Sequence, residues 1–211
     1  LAAIQSQNTD SQLLNQTQTV SRGVLTLDNQ GNDHQKRYRI MTKYVYTPQN
    51  SHWKKFQLDV FKQDSDTNQH TYSERLSRAD NSLTLRTRDS HFNQNIYGIN
   101  MQFDHQFNGY GDHYFIYGAN WQKTESKALR EGQTLDKISS QRLPEFSVFP
   151  ARDFPISTLK ESAIYLQDEW QLFSKKLTLS PGIRIDKYQL TPKSDDIFLQ
   201  ANPGVAVSRV D

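Results

Sequence analysis

Tyr97-Gly98-Ile99-Asn100-Met101-Gln102-Phe103-Asp104-His105-Gln106-Phe107 is the stretch on which the fold turns. Its odd positions carry Tyr, Ile, Met, Phe, His and Phe; its even positions carry Gly, Asn, Gln, Asp and Gln. A period of two with one apolar side marks a β-strand with one wet face. The Gly-rich turn Asn108-Gly109-Tyr110-Gly111-Asp112 follows, and then Phe115, Tyr117, Ala119 and Trp121 repeat the alternation. Pairing Phe107 with His113 sets Phe103 opposite Tyr117, Met101 opposite Ala119 and Ile99 opposite Trp121. A slip of one residue would send one apolar set to the opposite face, so this register is strongly specified.

Two further hairpins read the same way. Tyr38, Ile40, Thr42, Tyr44 and Tyr46 share a side, and beyond Pro48–His52 so do Phe56, Leu58 and Val60. Pairing Thr47 with Trp53 sets Tyr44 opposite Phe56 and Ile40 opposite Val60. In the third, Ile164, Leu166, Trp170 and Leu172 alternate with Ala163, Tyr165, Gln167 and Glu169. Pairing Phe173 with Lys176 sets Leu166 opposite Ile183 and Trp170 opposite Leu179. The expected strands are Tyr38–Tyr46, Lys54–Lys62, Ile96–Phe107, His113–Lys123, Ser162–Phe173, Lys176–Gln189 and Asn202–Ser208, with almost no helix. Residues Leu1–Gln35 are rich in Gln, Asn, Ser and Thr, with one strand-like piece at Gly23–Leu27.

The connections between hairpins, Asp64–Phe92, Thr124–Lys160 and Gln189–Leu199, read as long polar loops. Compact domains seldom carry loops above ~12–15 residues unless these are functional. Short turns at one end, long loops at the other and one apolar strand face fit a transmembrane β-barrel with short periplasmic turns and long extracellular loops. Trp53, Phe107, Phe173 and Tyr188 near strand ends would fit its aromatic girdles. On pattern alone a soluble antiparallel sheet stays open beside it.

Composition narrows the class. The chain is polar, with 35% hydrophobic residues, yet carries 11 Phe, 10 Tyr and 3 Trp. Disordered segments are poor in aromatics. A net charge of +2 argues against a nucleic-acid binder, and the lack of cysteine removes disulfides and thiolate chemistry. No apolar run reaches the ~18 residues of a transmembrane helix. Because the chain opens on Leu1 and closes on Asp211 within a strand-like pattern, both ends read as truncations, so a missing signal peptide says nothing about export.

No catalytic signature is present: no G-x-S-x-G, no H-E-x-x-H and no phosphate-binding glycine loop. Asp64-Ser65-Asp66-Thr67-Asn68 resembles the opening of a calcium loop, but Gln69 stands where Gly is needed and Arg75 where a bidentate Glu is needed. Six histidines are scattered without ligand spacing; His34, His70 and His91, in or next to expected loops, are weak candidates for axial haem ligands. Within Arg142–Pro155, the residues Arg142, Phe146, Phe149, Arg152 and Phe154 are apolar and cationic groups suited to ligand contact, or to tucking the loop into a barrel mouth. Arg184 and Asp186 share a polar face, where a separate domain inside the barrel is expected to supply partners.

The run Ala163-Ile-Tyr-Leu-Gln-Asp-Glu-Trp170, followed by Lys176-Leu-Thr-Leu-Ser-Pro-Gly-Ile-Arg-Ile-Asp186, closely resembles a hairpin of TonB-dependent outer-membrane receptors. Tyr165, Gln167, Asp168, Glu169, Gly182, Arg184 and Asp186 carry that resemblance. Arg152-Asp-Phe-Pro155 and Tyr188-Gln-Leu-Thr-Pro192 look like the haem/haemoglobin branch. The resemblance implies an internal part, 1–211, of a barrel of ~22 strands. It implies a receptor in the Gram-negative outer membrane and not an enzyme, with lipid, the TonB complex and haem or haemoglobin as partners. The plug domain that meets TonB is expected before Leu1, and the haem-ligating residues beyond Asp211. No cofactor is expected to be bound by 1–211 itself; haem would be the transported ligand of the full protein. Readings kept beside it are a siderophore receptor, a passive porin-like barrel and a soluble β-sandwich binding module.

Overall fold

A computed structural model describes residues 1–15, 19–49 and 52–208. Among them one antiparallel sheet is built from β1 (Ala2–Asn15), β2 (Thr19–Ser21), β3 (Val24–Tyr46), β4 (Trp53–Ser77), β5 (Leu83–Gly109), β6 (Gly111–Asp136), β7 (Ile156–Leu172), β8 (Leu177–Leu179) and β9 (Gly182–Lys193). The strand order is β1-β3-β4-β5-β6-β7-β8, with β2 beside β3 and β9 continuing beside β7. The sheet does not close on itself. A short helix, α1 (Asp196–Ala201), follows β9.

The expected registers of two hairpins hold. Phe107 meets His113, Phe103 meets Tyr117 and Ile99 meets Trp121; Trp170 meets Leu179 and Leu166 meets Ile183. The β3–β4 register differs: Tyr44 meets Leu58 and Ile40 meets Lys62. The shift is by two residues, which leaves every side chain on its expected face, so alternation is blind to it. Of the turn Pro48–His52, Asn50 and Ser51 lie outside the described residues.

The long loops are a larger correction. β4 runs on to Ser77 and β5 starts at Leu83, so most of Asp64–Phe92 is strand and only 78–82 is a turn. β6 runs to Asp136 and β7 starts at Ile156, leaving 137–155 as the connection. Leu1–Gln35 is likewise mostly strand. These stretches are polar on both faces, so they show no apolar alternation, yet their backbone groups still need partners and find them across the ladder. Asp64, Asp66 and Asn68 lie on one face of β4, with Ser65 and Thr67 on the other, so no calcium loop forms there. Gln189–Leu199 is part β9 and part helix, and Asn202–Ser208 is not a strand. Asn202 instead caps α1, donating from its side chain to the carbonyls of Phe198 and Arg152. Lys176–Gln189 is broken at Pro181, which has no N–H for the ladder.

Register carries two faces across the whole sheet. Ile99, Phe103, Leu58, Leu166 and Ile183 fall on one; Asn100, Gln102, Gln167 and Arg184 fall on the other. The apolar face is bare: Ile164, Ile183 and Ile185 are each about 60% exposed, and among the described residues no large side chain is fully buried. An open apolar band this wide exceeds what a soluble monomer shows. At its turn end, Trp53 stacks on His105 at 5.0 Å and His113 stacks on Trp170 at 5.2 Å. Tyr188 does not join this ring; it lies on the polar face, opposite Glu161.

The polar face is hydrogen-bonded along its length. Gln102 and Tyr114 donate to Asp104 at 2.8 and 3.1 Å, and Gln122 donates to Glu161 at 3.1 Å. Arg184 and Asp186 pair with each other, at 2.8 Å. Aromatic rings lie over two glycines: Phe61 covers Gly98 and Tyr165 covers Gly118, where a Cβ would fall 2.2 and 2.8 Å from the nearest ring atoms.

Candidate functional site

Above the apolar band the polar face carries a group of arginines. Arg75 on β4 pairs with Thr84, and Arg86 and Arg88 on β5 pair with Ser73 and Thr71, so the three guanidinium groups share one patch. The 137–155 connection closes over it. Its residue Arg142 bridges to Leu135 and Ala151 bridges to Arg130, so both ends of the segment run along the edge of β6.

Glu145 is brought down from this connection onto the cluster. It accepts from Arg88 Nη2 at 2.6 Å and from Thr134 Oγ1 at 2.6 Å. Burial pushes the Glu145 carboxyl up, but these hydrogen bonds and the charges of Arg88 and Arg86 outweigh it, and its pKa is lowered. Arg88 reaches this position by crossing Gly132, where a Cβ would lie 2.6 Å from its side chain. It also donates to the carbonyls of Thr87 and Gln133, and its guanidinium stands 4.8 Å from the Phe149 ring centre.

Among the described residues, Arg75 and Arg86 have no such carboxylate of their own. Desolvation first, then repulsion from Arg88, lowers the pKa of each. The Nε groups of Arg75, Arg86 and Arg88 are buried without a hydrogen-bond partner. Three cations therefore face one carboxylate in a partly dehydrated place. Buried charges need partners, so the patch favours an anion. A separate recess of about 310 Å³ lies on the other side of the sheet, lined by Thr87, Asp89, Glu131 and Gln133 with Arg142 and Phe149 of the connection. Its two acids, Asp89 and Glu131, are on the opposite sheet face from the arginines and leave the arginine side cationic.

The loop residues singled out in the sequence divide into two groups. Arg142 and Phe149 line the recess, and Phe149 meets Arg88. Phe146 projects fully into solvent. Arg152 and Phe154 are tied to other elements, Arg152 largely buried and Phe154 still exposed. Arg152 binds Asp195, the N-cap of α1, at 2.8 Å and donates to the Ala128 carbonyl; Phe154 meets Phe92 edge-on at 6.3 Å. Arg75, Arg86 and Arg88 escape a reading that makes Asp64–Phe92 a loop. Their signal is the short alternation Leu83-Thr84-Leu85-Arg86-Thr87-Arg88, which puts both arginines on one side of a strand.

The motif hairpin is placed by the same sheet. Tyr165 and Gln167 lie on the polar face, whereas Asp168 lies on the apolar face and bonds His113 at 2.7 Å. His34 and His70 are bound to Asp10 and Asp89, and His91 to Asn68, all on that same face and away from the arginine patch.

The apolar belt can be measured along β7. Trp170, in the aromatic ring, and Lys160, where the belt ends, are ~10 residues apart, which at ~3.3 Å per residue and ~40° tilt spans ~25 Å. That is the height of the lipid-facing band of an outer-membrane barrel. Short turns below the belt, an apolar outer face, a polar inner face and a cationic vestibule above define a bacterial outer-membrane β-barrel. The family model "TonB dependent receptor-like, beta-barrel" matches residues 3–208, and the chain belongs to that family. Its members are outer-membrane receptors and transporters, not enzymes. A comparison with curated proteins finds no match.

Proposed function

We propose that this barrel serves TonB-dependent uptake of haem, taken up free or from haemoglobin, and that the arginine patch receives the porphyrin. The observation that carries this reading is the arginine trio set against a single carboxylate beside the Phe149 ring. Haem is a flat apolar ring with two carboxylates. Arg75 and Arg86 offer charge-assisted hydrogen bonds to those carboxylates, and Phe149 offers a ring face. Phe146, at the solvent-facing tip, makes first contact with the carrier. The motifs Arg152-Asp-Phe-Pro155 and Tyr188-Gln-Leu-Thr-Pro192 add the family likeness. Passage inward follows by way of a plug domain coupled to TonB.

The test is binding to the full receptor carrying Arg75→Gln and Arg86→Gln, at matched surface abundance. Each lost charge-assisted bond removes ~1.5–3 kcal/mol, so haem and haemoglobin binding should fall by at least ~10-fold. A ferric siderophore whose binding falls instead, with haem unaffected, would transfer the patch to a siderophore receptor. If neither changes, the patch is not the ligand site.

A further inference from the structure

The apolar belt ends in lysines. In one row of the sheet stand Ile40, Lys62, Tyr97, Lys123 and Lys160, and Lys187 lies one step lower, opposite Ser162. All are on the lipid-facing side, at the end away from the short turns, and hence at the outer leaflet. Lys62 is paired with Asp64 at 3.4 Å and Lys123 with Glu125 at 2.6 Å. Lys160 and Lys187 are both exposed, and among the described residues neither has a carboxylate partner.

Immediately below this row the apolar face is hollow. A groove of about 500 Å³ is lined by Ile40, Val60, Ile99 and Trp121, with Lys62 and Tyr97 at its upper rim. Lys62 leans over the Tyr97 ring, 5.7 Å from its centre. The groove walls are apolar and suit a hydrocarbon chain, whereas the rim and the row beyond it are cationic.

We propose that the row and the groove together form a binding site for one phosphate-bearing lipid of the outer leaflet. An acyl chain lies in the groove between Val60 and Trp121, and the headgroup phosphates lie along the lysine row, held chiefly by Lys160 and Lys187. Charge complementarity favours this occupant. Two of the cations are already satisfied by carboxylates, and the two that are not stand side by side at the depth where lipid phosphates lie. Lysines that merely snorkel at an interface need neither a groove nor clustering. The site rests on the barrel and not on the identity of the transported ligand.

The test uses the full receptor, stripped of lipid in detergent, with binding followed by native mass spectrometry. The probes are bis-phosphorylated lipid A, the same lipid after phosphatase treatment, and inorganic phosphate. One phosphorylated lipid should be retained, and its affinity should fall at least tenfold in Lys160→Gln/Lys187→Gln. Lys127→Gln, higher on the same face, should leave it unchanged. Val60→Trp, which fills the groove and keeps every lysine, should also weaken retention, so the proposal stays testable if the double variant does not fold. Equal retention of the phosphatase-treated lipid, full competition by inorganic phosphate, or unaltered binding in the double variant and in Val60→Trp would each overturn the assignment.

Discussion

Placing an arginine at Ile164 tests the orientation of the whole sheet. Ile164 is 59% exposed on the apolar face, between Ala119 and Ile185. It lies ~6 residues from Trp170 and ~4 from Lys160, which puts it within ~3 Å of the midplane of a ~25 Å belt. An arginine at that depth costs ~2–4 kcal/mol, a ~30- to ~700-fold loss in the folding equilibrium. Ser162→Arg, on the same face but next to the lysine row, should cost only ~0–1 kcal/mol. Gln167→Arg, on the polar face, should stay within ~0.5 kcal/mol. Urea unfolding of the full receptor in lipid vesicles, followed by heat-modifiable mobility, reads all three. Equal losses for Ile164→Arg and Gln167→Arg would refute the inside–outside assignment, and equal losses for Ile164→Arg and Ser162→Arg would refute the depth scale.

Three other expectations follow from particular contacts. A Cβ at Gly118 would fall 2.1 Å from the Met101 carbonyl oxygen and 2.6 Å from the Tyr165 hydroxyl. Gly118→Ala should therefore lose at least ~1–3 kcal/mol in the same unfolding assay, and Tyr165→Phe should not restore it because the backbone oxygen remains. Asp80, in the 78–82 turn, has its pKa lowered to about 2, first by the Ser77 and then by the Ser82 side chain. Its folded value lies below the unfolded value of ~3.9, so its contribution is complete above that pH and fades as pH falls toward 2. Hydrogen exchange at Ser77 and Ser82, corrected for intrinsic rates, should quicken only in that window, and Asp80→Asn should abolish the change. Arg152→Ala removes the tie to Asp195 and should raise protease cutting between Ala151 and Pro155 on intact cells; an unchanged pattern would show that the Asn202 bond and the Ala151–Arg130 bridge hold the segment without it.

Legibility in the sequence followed the solvent. Where one face meets lipid and the other water, as in Tyr97–Trp121, alternation shows both strand and register, because a tight turn permits few alternatives. The β3–β4 pair escaped in register only: its ladder closes at Tyr46 and Phe56, a wider turn than a Thr47–Trp53 pairing needs, and a shift by an even number of residues leaves the alternation unchanged. Above the lipid both faces are wet, and Asp64–Ser77 looks like a loop although its backbone is fully laddered. The same blindness hid Arg75, Arg86 and Arg88. Arg142 and Phe149 could be found because they stand out in a polar connection. The partner of Arg152 could not, because Asp195 is distant in sequence and is recognisable only once α1 exists.

The length of these strands has an outcome for how the receptor meets its surroundings. β5, Leu83–Gly109, has 27 residues, which at ~3.3 Å each and ~40° tilt rises ~68 Å. Only ~25 Å of that is within the hydrocarbon and a few Å lie below it, so the wall of the barrel stands ~35 Å clear on the outer side. The 78–82 hairpin tip is then a turret well above the lipid headgroups, where antibodies and phage would meet the protein before any lipid. An epitope tag inserted at Asn81 should be stained on intact cells, whereas one at Asn108 should be reached only after the outer membrane is opened.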